Sequence, residues 1–143
     1  MDNEGGAPVD AKATLGILTQ YKTSSSTDAK VSEADVLLLL TTEHNLENDD
    51  EDPWPGNAAV QGICTGQSVA VATDDGATFL AVHQVALELS LLLGATIDRS
   101  NGLIGCRKED DHLLSHKFGG SKYYLSRCSE SAMLSYIQQN QYV

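Results

Sequence analysis

The sequence predicts an α/β (α+β) domain: a partial twisted sheet, a long central helix, and an irregular C-terminal part that closes on a helix. Three observations predict it. Residues 35–41 (Asp-Val-Leu-Leu-Leu-Leu-Thr) form a continuous apolar run of strand length, and residues 68–73 (Ser-Val-Ala-Val-Ala-Thr) read as a second strand. Residues 82–93 are apolar almost all the way round, as a buried central helix is. A chain of 143 residues is one domain with room for a real core.

In order, residues 1–10 are a Gly/Pro/acid tail expected to be disordered. Residues 11–21 suit a short amphipathic helix with Leu15 and Leu18 on one face, and residues 24–27 suit a loop. The 35–41 strand is expected to be covered on both faces. Residues 44–52 contain Asn48-Asp49-Asp50-Glu51-Asp52, which lacks the alternating ligands around a glycine that a calcium loop needs. They read as a solvated acidic loop carrying His44, with Trp54 pinning it to the body of the domain.

Residues 56–63 predict a weak, Gly-bounded strand, and Asp74-Asp75-Gly76 a turn feeding the central helix. That helix stops at Gly94, which can take the left-handed conformation that ends a helix. Glu88 is its only charge, and burying an unpaired carboxylate is costly. Asn101-Gly102 marks a turn, residues 106–122 look irregular, and residues 129–139 predict a helix with Met133, Leu134 and Ile137 inward.

Composition narrows the function. A net charge of −11 with no basic cluster argues against nucleic acid and anionic membranes as partners. No signal peptide is legible, and the apolar run at residues 85–93 is too short to span a bilayer. Three cysteines leave one over if two pair. No Asn-x-Ser/Thr sequon occurs, so N-glycosylation is not expected.

The frame around Glu88 resembles the zinc helix of the reprolysin (adamalysin, ADAM-like) metalloproteases, especially the salivary ones of ticks. Their signature is H-E-x-x-H-x-x-G-x-x-H-D. Glu88 matches the glutamate, Gly94 the glycine and Asp98 the last aspartate, whereas Leu87, Leu91 and Ile97 stand at the three histidine positions. Upstream, Gly62-Ile63-Cys64, Ser68-Val69-Ala70-Val71 and Asp74-Asp75-Gly76 match the family's edge strand ending in Cys, its next strand and its turn. Downstream, Cys106, Leu113-Leu114-Ser115 and Cys128-Ser129 match a cysteine, the Met-turn and a Cys-Ser pair ahead of a closing helix; Leu114 takes the methionine position.

The resemblance implies a metzincin fold over residues 11–143, with residues 11–98 as sheet plus active-site helix and residues 99–143 as the lower subdomain. The family domain is longer. Relative to it, this chain is expected to lack the first strands and to stop near the cysteine that would pair with Cys64. A Cys106–Cys128 disulfide is then expected, closing a loop of about 20 residues worth about 3 kcal/mol, with Cys64 unpaired. By the same resemblance the chain is secreted.

A catalytic zinc needs three N, O or S ligands and an open position for water. Leu87, Leu91 and Ile97 have no lone pair to give, so no metal and no other cofactor are expected, although the family binds zinc. Without the metal the pKa of water is not lowered, and Glu88, at the family's general-base position, is expected to be non-functional. The three aliphatic side chains should meet as an apolar cluster where the metal would sit.

The first functional reading is therefore a catalytically inactive, protein- or peptide-binding module. In the family, substrate adds alongside the edge strand, here Gly56, Asn57, Ala58, Ala59 and Val60, and main-chain pairing needs no metal. A second reading is a zinc metalloendopeptidase with a displaced site around Asp110, His112 and His116, although a surface histidine pair is the simpler account. A third is a non-functional fragment whose residues 36–40 present an unpaired apolar edge. Cys64 with His83 or His112 could in principle pair nucleophile and base, but no nucleophile motif surrounds Cys64.

Overall fold

Strand β5 (Val69–Thr73) is the centre of the molecule, and all five of its residues are buried. In the computed structural model the residues described are 9–25, 27–42, 46–47, 56–115 and 123–140. Strand β2 (Leu37–Thr41) pairs with β5 in parallel, and β4 (Gly56–Ala58) pairs with its other side antiparallel, giving the order β2-β5-β4. The chain is thus a mixed α/β protein built on a small, open, mixed sheet.

Each face of β5 is covered by one helix. Neighbouring residues of a strand point to opposite faces. Ala70 joins Leu87, Leu91 and Leu92 of α3 (Leu80–Leu92), whereas Val71 joins Ala11, Leu15 and Leu18 of α1 (Ala11–Ser24). This two-sided cover explains why β5 reads as a run of small apolar residues without alternation. Lys22 locks the end of α1 to the strand entries, donating to the Asp35 carbonyl at 3.2 Å and to Ser68 Oγ.

Several expectations need correction. Val9 and Asp10 are not tail: they form β1 (Val9–Asp10), parallel to β3 (Leu46–Glu47), and Asp10 caps α1 by accepting from the amides of Lys12 and Ala13. A short helix, α2 (Ala29–Ser32), capped by Asp28, follows α1. Strand β2 is not covered on both faces: Leu39 and Leu40, which point to opposite faces, are 36% and 51% exposed, and among the described residues β2 pairs with β5 alone. Strand β4 ends at Ala58, because the following residues turn back and Gly62 N–H donates to the Ala59 carbonyl. His44, Trp54 and the acidic run 48–52 lie outside the described residues.

The turn into α3 is as expected: Asp74 and Asp75 accept from the amides of Gly76, Ala77 and Thr78, and Gly76 has φ 66°. At the other end Gly94 adopts φ +91° and carries the chain out of α3. A side chain there would also collide with the ring of Tyr136, so two constraints select glycine. Tyr136 belongs to α4 (Arg127–Gln139), and its hydroxyl donates to the Gln61 carbonyl at 2.6 Å.

That clamp sets the buried face of α4. Met133 packs on the core and Tyr136 and Ser129 are buried, while Leu134 and Ile137, expected inward, face solvent. The helix also begins earlier than residue 129, because Ser126 caps it through the Ser129 amide. Cys106 and Cys128 form the expected disulfide, and Cys64 is free and exposed. No helix among the described residues is long and apolar enough to cross a membrane.

Candidate functional site

The positions that matter chemically lie along α3 and the segment after it. Leu87 and Leu91, four apart, share one face of the helix. Both are buried in a cluster with Ala58, Ala70, Leu92, Ala95 and Leu114, and Ile97 packs against it. Leu87, Leu91, Ile97 and Leu114 therefore lie in one apolar body. Each large side chain buried there contributes about 1.5–3 kcal/mol. None offers a lone pair, so these residues do not fit a zinc ion.

Glu88 sits beside this cluster and is 1% exposed. Its Oε2 has no hydrogen-bond partner. Loss of water around the carboxyl pushes its pKa up from 4.5 to about 8. At neutral pH the Glu88 carboxyl is therefore mostly protonated. One turn earlier Gln84 is fully buried, and both its amide atoms also lack partners. The helix that reads as uniformly apolar thus carries a buried acid–amide strip.

Strand β4 closes over Glu88. A Cβ on Gly56 would stand 2.5 Å from Glu88 Oε1 and 2.7 Å from the Val71 carbonyl oxygen. The glycine that bounds the edge strand is required by this approach. Asn57 pairs with Val71 and Ala58 with Ala70, so β4 is the antiparallel outer strand of the described sheet. Beyond it Ala59 is half-buried and Val60 is exposed at the turn.

Asp98, the last residue of the frame, has a structural role. Its Oδ1 accepts from Ser126 Oγ at 2.6 Å and from Ser129 Oγ at 3.4 Å, and its N–H donates to the Leu114 carbonyl at 3.0 Å. Ser129 Oγ also donates to the Thr96 carbonyl. Asp98 therefore ties the segment after Gly94 to the start of α4 and to Leu114. The residue types Ser126-x-x-Ser129 ahead of a helix are the signal that could have shown this cap in the sequence.

The two described histidines, His83 and His112, do not assemble around a site. His112, expected at the surface, is buried: its ring packs edge-on against Tyr124 at 5.2 Å, and its backbone N–H donates to Ser115 Oγ at 2.8 Å. Asp110 instead accepts from the Arg107 amide at 2.8 Å in a short 3-10 turn, and His116 lies outside the described residues. His83 meets the ring of Tyr123 at 6.3 Å, and burial lowers its pKa. Among the described residues no three His, Cys, Asp or Glu side chains gather as a metal site. Comparison with protein-family models and with curated proteins gave no match.

Proposed function

We propose that the chain is a catalytically inactive, metalloprotease-like domain of metzincin architecture that works outside the cell as a protein- or peptide-binding module. The observation that carries this reading is the apolar body at the ligand frame: Leu87, Leu91, Ile97 and Leu114 occupy one packed region with Glu88 buried and protonated beside it. The Cys106–Cys128 disulfide supports an oxidising setting. The outer strand β4 supports recognition of an extended chain, because strand addition draws on main-chain groups and needs no catalytic residue.

In the β4–β5 register the main-chain groups of Asn57 face Val71, so those of Ala58 face outward. Selection from a library of displayed extended peptides tests the reading. Binders should be recovered, should remain uncleaved in the presence of zinc, and should be lost on Ala58→Pro, which removes one outward donor without breaking a bond to β5. Zinc-dependent cleavage, or binders indifferent to Ala58→Pro, would contradict it.

A further inference from the structure

A second sheet edge lies on the far side of the molecule from β4, and its register is fully determined. Leu37 N–H donates to the Ser68 carbonyl, and Asp74 N–H donates to the Thr41 carbonyl. With Leu37 aligned to Val69 and Thr41 to Thr73, the main-chain groups of Leu37, Leu39 and Thr41 face β5. Those of Leu38 and Leu40 face away from it. Among the described residues, no strand pairs with that side of β2.

This edge lacks two of the features that keep sheet edges apart. It has no proline and no charged residue, in a chain whose net charge is −11. Four of its five side chains are leucines, and Leu39 and Leu40 remain exposed. The alternation of outward groups is also symmetric about Leu39. A two-fold axis there sets Leu38 of one copy opposite Leu40 of the other, and each such pair can exchange two N–H···O=C bonds. Leu39 meets Leu39 across the axis in the closer, non-hydrogen-bonded pairing. Each exposed Leu40 is then placed beside the Leu38 of the other copy, which already packs on the core.

We propose that β2 pairs antiparallel with β2 of a second copy of this chain, centred on Leu39, joining two three-stranded sheets into one. The strand is its own complement in hydrogen-bond pattern, in side-chain chemistry and in lack of charge, and that argues for a second copy as the occupant. The interface is short, so the dimer belongs to the weak, concentration-dependent class.

Sedimentation equilibrium of the whole chain between about 5 µM and about 500 µM tests this. The expected apparent mass rises from 15.3 kDa toward twice that value. Leu40→Pro, which removes an outward donor but keeps the strand apolar, and Leu40→Lys, which charges the edge, should both hold the monomer mass throughout. Amide exchange gives a readout on the unaltered chain: the Leu38 and Leu40 amides should slow by about tenfold or more as the dimer fills. A chain that stays monomeric, a dimer that survives both substitutions, or Leu38 and Leu40 amides indifferent to concentration would overturn the proposal. So would protection of those amides by an added extended peptide alone, which would give the edge to another partner.

Discussion

Replacing Glu88 with Gln should make the protein more stable, and by an amount that depends on pH. The folded chain holds the Glu88 proton up to about pH 8, whereas the unfolded chain releases it near 4.5. Between those values the native state binds more protons than the unfolded state, so stability falls as pH rises. Sign and window follow: the full contribution is present below about pH 4.5, is lost progressively above it, and is gone by about pH 8. At about 1.4 kcal/mol per pH unit, the interval from 4.5 to about 8 amounts to about 5 kcal/mol, with about 3 kcal/mol already lost at pH 7. That is a large part of the 5–15 kcal/mol or so that keeps a domain folded.

Glu88→Gln keeps the shape and cannot ionise. Urea unfolding of both proteins from about pH 5 to about pH 9 measures the difference. The two midpoints should lie close together at the acid end and separate steadily toward alkaline pH, with the Gln variant the more stable. Parallel curves, or a wild-type chain that gains stability from Glu88 as pH rises, would refute the assignment of Glu88 as a buried neutral acid.

Other consequences concern the clamps around α3. Gly94→Ala places a Cβ at φ +91° against the Tyr136 ring and should cost about 1–3 kcal/mol in chemical unfolding; an unchanged midpoint would contradict the two-fold constraint. Tyr136→Phe removes the bond to the Gln61 carbonyl and should cost about 1 kcal/mol, read as a lower melting temperature with the disulfide intact. Replacing both Cys106 and Cys128 by Ser opens a loop with a sequence separation of 22 and should cost about 3 kcal/mol; stability equal to wild type would show that the bridge contributes nothing.

The parts of the fold legible in the sequence are those set by local pattern. The apolar run of β5, the central helix and its glycine stop, and the Asp-Asp-Gly turn were all readable because periodicity and turn chemistry act over a few residues. What pattern could not give was partnership at a distance. Leu39 and Leu40 look like core in an apolar run, yet they are exposed on β2, which among the described residues pairs with β5 alone. Leu134 and Ile137 look inward by helical spacing, but the hydroxyl of Tyr136 reaches Gln61, 75 residues away in the chain, and turns another face to the core.

The same division holds at the candidate site. That Leu87 and Leu91 share one helix face was readable from their i, i+4 spacing, whereas the approach of Ile97 to them was expected only from the family resemblance. Gln84 was missed: an amide within an apolar helix gives no sign of whether it is buried until β4 and β5 are laid over it. The cap formed by Asp98, Ser126 and Ser129 joins segments 28 and 31 residues apart, and only the first step, a serine three residues ahead of another at a helix start, left a trace in the sequence.

The central claim is that apolar packing stands where the resemblance places a zinc site. A native mass spectrum of the purified chain, recorded with and without added zinc, tests it most directly. The account predicts no stoichiometric metal increment, because Leu87, Leu91 and Ile97 supply no ligand. One zinc per chain, retained on desalting and lost on His112→Ala or His116→Ala, would contradict it and return the protein to metal-assisted hydrolysis.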